Sequence, residues 1–426
     1  MNCFVSDNCQ PNDKTFIRSK VCVTDRAGIP EVREWNGKHY CLLHEPNSGK
    51  NSFGVFDSII KQRIAAGVLN FQAVFFPDTF IITKKSHGVI AAEMDFKFAV
   101  FNKEVLFFND FEENINFGSC EFRRGAQFSS ASFKKSVFFH YAKLDGYFSF
   151  GNVGLPVGSG LWFNLSSSTK ECRIHFGVLS EIGGKIAFDS ANVGGSLQFD
   201  NTFDQRTGKD IKDTQLLSIK DAAIDHPERV RFHDCLLDAN WFLNIDSRKF
   251  SFANVEWRPV GKINPSAHTE KIYRNLATNA EESDDYRHAS FFRNLAMECA
   301  RKRKTLPMFF NIHWWYKWTS GYGESWFWAA FGLVGLLVAF SFFYNSPFAS
   351  FERDKSDPSI AAVAGYERTV RMNDLEGIVY SLNVGLQNVE PKPADSQTKL
   401  FVIFERILAP IQAALLALAI RRKFMR

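Results

Sequence analysis

The chain has 426 residues, 23% of them charged, with a formal net charge of +5. A single compact core is unexpected at this length, and so modest a charge excess implies no nucleic-acid partner. Eight cysteines are spread thinly along it, with none after Cys299, a usage that argues for a reducing compartment and against a disulfide framework. The Met1 end carries charged residues in place of an apolar core, so no secretory signal is expected.

The first segment, 1–50, brings Cys3, Cys9, Cys22, Cys41 and His44 close in sequence. Cys41-Leu42-Leu43-His44 is a Cys-x2-His step able to place two ligands on one tetrahedral ion. Five candidates compete for four positions, and Cys41 and His44 belong to any such site. A segment this short, broken by Pro11, Pro30 and Pro46, has little core of its own, so a structural zinc would supply folding energy. The expectation is a zinc-knuckle-like head; the alternative is a reduced arm without metal.

From Phe96 onward a large apolar residue returns almost every five positions: Phe101, Leu106, Phe111, Phe117, Phe122, Phe128, Phe133, Phe138. Helices repeat near 3.6 and strands at 2, so a period of about five predicts a chain that turns a corner at each repeat. Small residues stand two places before the bulky one at Ala99, Ala126, Ala131 and Ala142. This stretch resembles the pentapeptide-repeat proteins, whose consensus has Ala two before a central Leu or Phe. The resemblance implies a right-handed quadrilateral β-helix with four five-residue faces per coil. The register slips by one at Phe117, Phe128 and Leu144, which marks a degenerate member. The pattern returns at Phe188 and Val193, at Leu236 and Trp241, and at Phe250 and Val255, so the solenoid is assigned to 70–258. At about 20 residues per coil this predicts roughly nine coils and a rod of ~45 Å. Such a solenoid supplies surface rather than chemistry. No phosphate-binding loop, His-Glu-x2-His or nucleophile elbow is present, His140, His175 and His233 read as structural, and no enzyme is expected.

At 268–304 the composition turns to helix formers. Tyr273, Leu276 and Ala280 share one face and Ala289, Phe292 and Leu295 another, with an acidic turn between them. This is similar to the helical linker that follows the repeats in membrane-bound pentapeptide proteins. Arg301, Lys302, Arg303 and Lys304 close it, and Trp314, Trp315, Lys317 and Trp318 follow, a basic and aromatic group of the kind found at lipid headgroups.

The last segment, 320–426, contains Trp326–Tyr344, 19 residues without a charge and roughly 28 Å long as a helix, enough to cross a bilayer. A second apolar stretch, 400–420, is interrupted by Glu405, Arg406 and Pro410 and ends at Arg421, Arg422 and Lys423. Basic clusters before the first span and after the second put both termini in the cytoplasm and loop 345–399 outside. Within that loop Leu375, Ile378, Val379, Leu382 and Leu386 accompany Ser381, Asn383 and Gly385. Span, short helix, polar turn and span together resemble the two-helix pore module of ion channels. Val384-Gly385 falls far short of a potassium filter, so potassium selectivity is not implied. Ser381, Asn383, Gly385, Glu405 and Arg406 are the candidate pore or packing residues. The expectation is a bacterial inner-membrane homo-oligomer whose cytosolic solenoid binds a protein partner; the alternative is a membrane-anchored scaffold without conductance.

Overall fold

The computed structural model describes residues 33–35, 38–40, 42–47, 49, 54–203, 216–258, 265–304, 311–323, 325–352, 369–370, 374–387 and 392–424. The chain divides into two compact units, residues 1–263 with 271–279, and residues 264–270 with 280–426.

The first unit is a parallel β-solenoid of about seven turns. Its strands form four main stacks of eight, seven, six and four, each strand pairing with the equivalent strands of the coils before and after it. In the longest stack Phe148 pairs with Ala126 below and Ile174 above, all parallel. The expected nine coils are reduced because each coil holds more than 20 residues. Hydrogen bonds between coils join side chains 22 apart at Lys134–Glu112, 26 apart at Trp162–Ser136 and 29 apart at Ser218–Asp189.

The register differs from strict period five in a systematic way. The buried row reads Phe117, Phe122, Phe128, Phe133, Phe139, Leu144 and Phe150, alternating steps of five and six. Phe139 and Phe107 occupy the interior where Phe138 and Leu106 were expected, and those two are only half-buried. The cause is strand alternation: Val105 and Phe107, like Val137 and Phe139, point inward together, leaving the residue between them on the outer side. In the five-residue steps the chain turns through a left-handed residue two after the Phe, at Ser119, Ser130, Tyr141 and Asn152. The slips in the sequence are therefore two kinds of corner in alternation. Ala99, Ala126, Ala131 and Ala142 are all buried as expected, a small side chain making room for the large one.

Inside, the phenylalanines form ladders. Phe107, Phe128, Phe150, Phe176, Phe199 and Phe232 stack at centroid distances of 5.4, 4.8, 4.8, 5.0 and 4.8 Å. Phe96, Phe117, Phe139, Phe163 and Phe188 make a second ladder at 5.1, 5.1, 4.5 and 4.6 Å. The two meet edge to face, Phe150 against Phe163 at 5.8 Å and 89°, an arrangement favoured by the ring quadrupole. Strand spacing thus sets the stacking distance, and these two ladders take up eleven of the chain's 45 Phe. Cys120, Cys172 and Cys235 are reduced and buried. Burial pushes Cys172 up to about 12 and Cys235 up to about 11, so these thiols act as small apolar fillers.

Both ends of the solenoid are covered, as exposed strand edges require. Helix α1 (Val55–Ala65) buries Phe56, Ile59, Ile60 and Ile64, with Phe56 edge-on to Phe76 at 5.8 Å. At the other end residues 271–279 of helix α2 (Ala267–Glu282) supply Asn279, whose Nδ2 donates to the carbonyls of Ser247, Arg248 and Phe250 at 3.1, 2.8 and 2.7 Å. One amide thereby shares its two N–H donors among three terminal backbone acceptors.

The second unit is helical: α3 (Tyr286–Arg303), α4 (Ile312–Ser320), α5 (Trp326–Tyr344), α6 (Asp374–Gly385) and α7 (Ser396–Phe424). Asp285 caps α3 by accepting from the His288 amide, so the acidic run is a turn and helix start. Ala289 and Phe292 are buried on α3 as expected; Ala296 is buried while Leu295 is only half-buried. Helices α5 and α7 are each long and apolar enough to cross a membrane, and only 11% and 22% of their apolar windows are buried. The core helices of a soluble protein would be mostly covered.

Candidate functional site in the helical unit

Helix α6 lies along both long helices. A side chain at Gly377 would collide with Asn345 at the end of α5, while one at Gly385 would touch Leu337 and Ala409 at 3.6 Å. Gly377 to Gly385 advances along α6 as Asn345 recedes to Leu337 along α5, so the two run antiparallel. A twelve-residue helix is roughly 18 Å long, and α6 ends level with the middles of α5 and α7. Its C-terminal carbonyl at Gln387 accepts from Arg406 Nη2 at 3.5 Å, a cation at the negative end of the helix dipole.

Where the three helices meet, a carboxylate is shut away from solvent. Glu405 is 0% exposed. Tyr344 Oη donates to its Oε2 at 2.7 Å, and Ser381 Oγ lies against both its Oε1 and, at 3.0 Å, the Leu337 carbonyl. The ring of Tyr380 packs edge-on to Tyr344 at 4.9 Å, and its buried hydroxyl has no hydrogen-bond partner among the described residues. Val384, Val402 and Phe351 complete an apolar cluster around these rings. Farther along α7, Gln412 Nε2 donates to the carbonyls of Thr319 at 2.8 Å and Ala329 at 2.9 Å, tying α7 to α4 and α5. Polar side chains inside a helical bundle that shows apolar surface outward act as interhelical ties.

Of the expected pore or packing residues, Ser381, Gly385 and Glu405 are brought together at α6. Asn383 on the same helix is half-buried and makes no hydrogen bond among the described residues. Glu405 and Arg406 do not pair with each other: Glu405 turns into the bundle and Arg406 is exposed. Their adjacency on a helix points them about 100° apart.

The basic cluster is partly consumed within the protein. Arg301 pairs with Glu298 at 2.5 Å and Arg303 with Glu270 at 2.9 Å, leaving Lys302 and Lys304 exposed and free of ion pairs among the described residues. Glu298 also receives Lys317 at 3.2 Å and Tyr322 Oη at 2.9 Å. Its Arg301 contact, with Tyr322 and Lys317, lowers its carboxyl to about 2. Trp315 and Trp318 are exposed, and Trp314 meets the first edge to face at 5.1 Å and the second at a tilt at 5.7 Å.

The metal candidates Cys3, Cys9, Cys22 and Cys41 lie outside the described residues. His44 is buried, with Nε2 at 3.1 Å from the Gln72 carbonyl. Facing a carbonyl oxygen, which only accepts, Nε2 is the donor.

Tyr344, Tyr380, Gln412 and Glu298 were not foreseen. A lone Gln within 407–420 was the available signal for one of them. No protein-family model matches the chain, and no curated protein or solved structure matches it.

Proposed function

We propose that the chain is a bacterial inner-membrane protein of pentapeptide-repeat type, with a cytosolic solenoid coupled to a two-span, pore-forming module that assembles as a homo-oligomer. The observation that carries the reading is α6, a short helix beside both spans that ends at their middles. This is the layout of a re-entrant pore helix, and backbone may end at that depth only where it is buried or faces water. The exposed apolar face of α6 (Leu375, Ile378, Val379, Leu382 and Leu386) supports assembly, since neighbouring copies would cover it. Ser381, Gly385 and Glu405 hold α6 in place, and Asn383 is the polar side chain available to a water-filled path. Lys302, Lys304, Trp315 and Trp318 sit at the cytoplasmic headgroups, Arg421, Arg422 and Lys423 follow the second span on the same side, and both termini are cytoplasmic.

In the amino-terminal head, Cys3, Cys9, Cys22, Cys41 and His44 supply the ligands of a structural zinc, four of the five at once. Metal analysis of purified protein should find one zinc per chain and less in Cys41→Ser. Equal zinc in both would remove the head from the account.

The pore is tested by recording purified protein in planar bilayers. Discrete conductance steps that change in Asn383→Asp are expected. Silent bilayers, together with full cellular activity when 320–426 is replaced by an unrelated two-span anchor, would leave a passive scaffold.

A further inference from the structure

One corner of the solenoid is built unlike its neighbours. Between the seven-strand and eight-strand stacks, most coils pass with two or three residues. Ser168 connects to Arg173 through a longer corner containing Lys170 and Glu171, and Ile224 connects to Val230 through another containing the turn Pro227–Arg229. The coil between them crosses with Gly194 and Gly195 alone. These glycines press on the coil below: a Cβ on Gly195 would stand 1.9 Å from the Cys172 carbonyl oxygen, and one on Gly194 would stand 2.6 Å from that of Ser168. Only glycine permits this approach, and beside it, lined by residues of the two longer corners and by Ser196 and Gln198 of the coil between, opens a notch of about 700 Å³.

The notch is cationic. Lys170, Arg173, Arg229 and Arg231 line it against one lining carboxylate, Glu171; Asp225 stands near Gly194. Arg173 and Arg231 are exposed and have no ion-pair or hydrogen-bond partner among the described residues. Arg229 is held in place by donating from Nη1 to the Lys170 carbonyl at 3.2 Å. Arg173 pairs in register with Ser196, and Gln198, two residues farther along that strand, pairs with Arg231, so the two arginines stand two coils and two residues apart, roughly 12 Å between their backbones. Ser196 Oγ, hidden from solvent in the notch lining, has no hydrogen-bond partner among the described residues. Tyr147 on the rim is braced by His175 at 3.3 Å, itself held by Asp200 at 2.8 Å.

We infer that this notch binds a soluble phosphate compound carrying two or more phosphoryl groups. Unpaired guanidiniums at fixed spacing recognise phosphoryl oxygens through forked hydrogen bonds. The volume suits a small ligand rather than a macromolecule, and cations two coils apart with Ser196 and Gln198 between them match a chain of two or more phosphoryl groups better than one charge. This site is independent of the membrane reading.

The test is calorimetric titration of the full chain in detergent with pyrophosphate and tripolyphosphate. One site per chain is expected, with affinity at least tenfold weaker in the double variant Arg173→Gln/Arg231→Gln. Both side chains are exposed, so its melting temperature should match the wild type. Ser196→Asp, which adds a carboxylate to the lining, should also abolish binding. The inference is overturned if millimolar pyrophosphate gives no binding, or if variants of native melting temperature bind as the wild type does. Equal displacement by sulfate would reduce the notch to unspecific charge. Equal displacement by short-chain phosphatidylglycerol would reduce it to a single-headgroup contact.

Discussion

The solenoid and the helical unit are organised in opposite senses. In the solenoid the interior is a dry stack of phenylalanines, and the ion pairs, such as Lys134–Glu112 and Lys135–Glu113 at 2.7 and 2.6 Å, lie outside. In the helical unit Glu405, Ser381 and Gln412 are inside, while Phe331, Val334, Phe342, Ile407 and Ile411 are exposed. Each arrangement suits a different solvent. Water rewards apolar burial, and hydrocarbon rewards the mutual satisfaction of polar groups. The contrast supports a membrane more directly than the apolar length of α5 and α7 does.

The comparison yields predictions of descending size. Removing a ring from mid-ladder should be most damaging, because each ring is packed by rings above and below. Phe150→Ala should cost about 3–5 kcal/mol, seen as a lower denaturation midpoint; a loss below about 1 kcal/mol would show that the ladders are not the core. Glu298→Gln should cost about 1–2 kcal/mol. Since pairing lowers the Glu298 carboxyl from 4.5 to about 2, its contribution is complete above about pH 4.5. It is lost as pH falls toward 2. The wild-type advantage over Glu298→Gln in thermal melts should therefore shrink across that window, and a constant difference would contradict the ion-pair assignment. In detergent, Glu405→Ala should cost about 1 kcal/mol by orphaning the Tyr344 hydroxyl, with Tyr344→Phe in the same background adding little. Full additivity of the two would sever that link. The smallest effect has the opposite sign. Tyr141 holds φ at 59°, where Asn is better tolerated, so Tyr141→Asn should stabilise by about 0.5 kcal/mol.

Period and side-chain size made the solenoid legible, because one inward row repeats along a short stretch of chain. What they missed at Phe138 and Leu106 follows from apolar residues on both sides of a strand: Phe138 and Phe139 are the same letter, and only the pleat distinguishes them. The long apolar helices were legible from composition. The polar centre was half legible. Glu405 stands out as a charge in an apolar run, but Tyr344, its partner 61 residues away, is an unremarkable aromatic at a span end. The ion pair of Arg303 within the basic cluster was not legible, because its partner Glu270 is remote in sequence. The Gly194-Gly195 notch carries no motif at all, since it exists only by contrast with the longer corners beside it.

In the proposed topology α5 and α7 cross a bilayer, with loop 345–399 on one side and the solenoid on the other. Labelling of spheroplasts with a membrane-impermeant thiol reagent tests this most directly. Phe348 is 70% exposed in the loop and Tyr141 is 63% exposed on the solenoid. The account predicts that Phe348→Cys labels in intact spheroplasts, whereas wild type and Tyr141→Cys label only after permeabilisation. Labelling of both variants in intact spheroplasts, or of neither until they are opened, would contradict it.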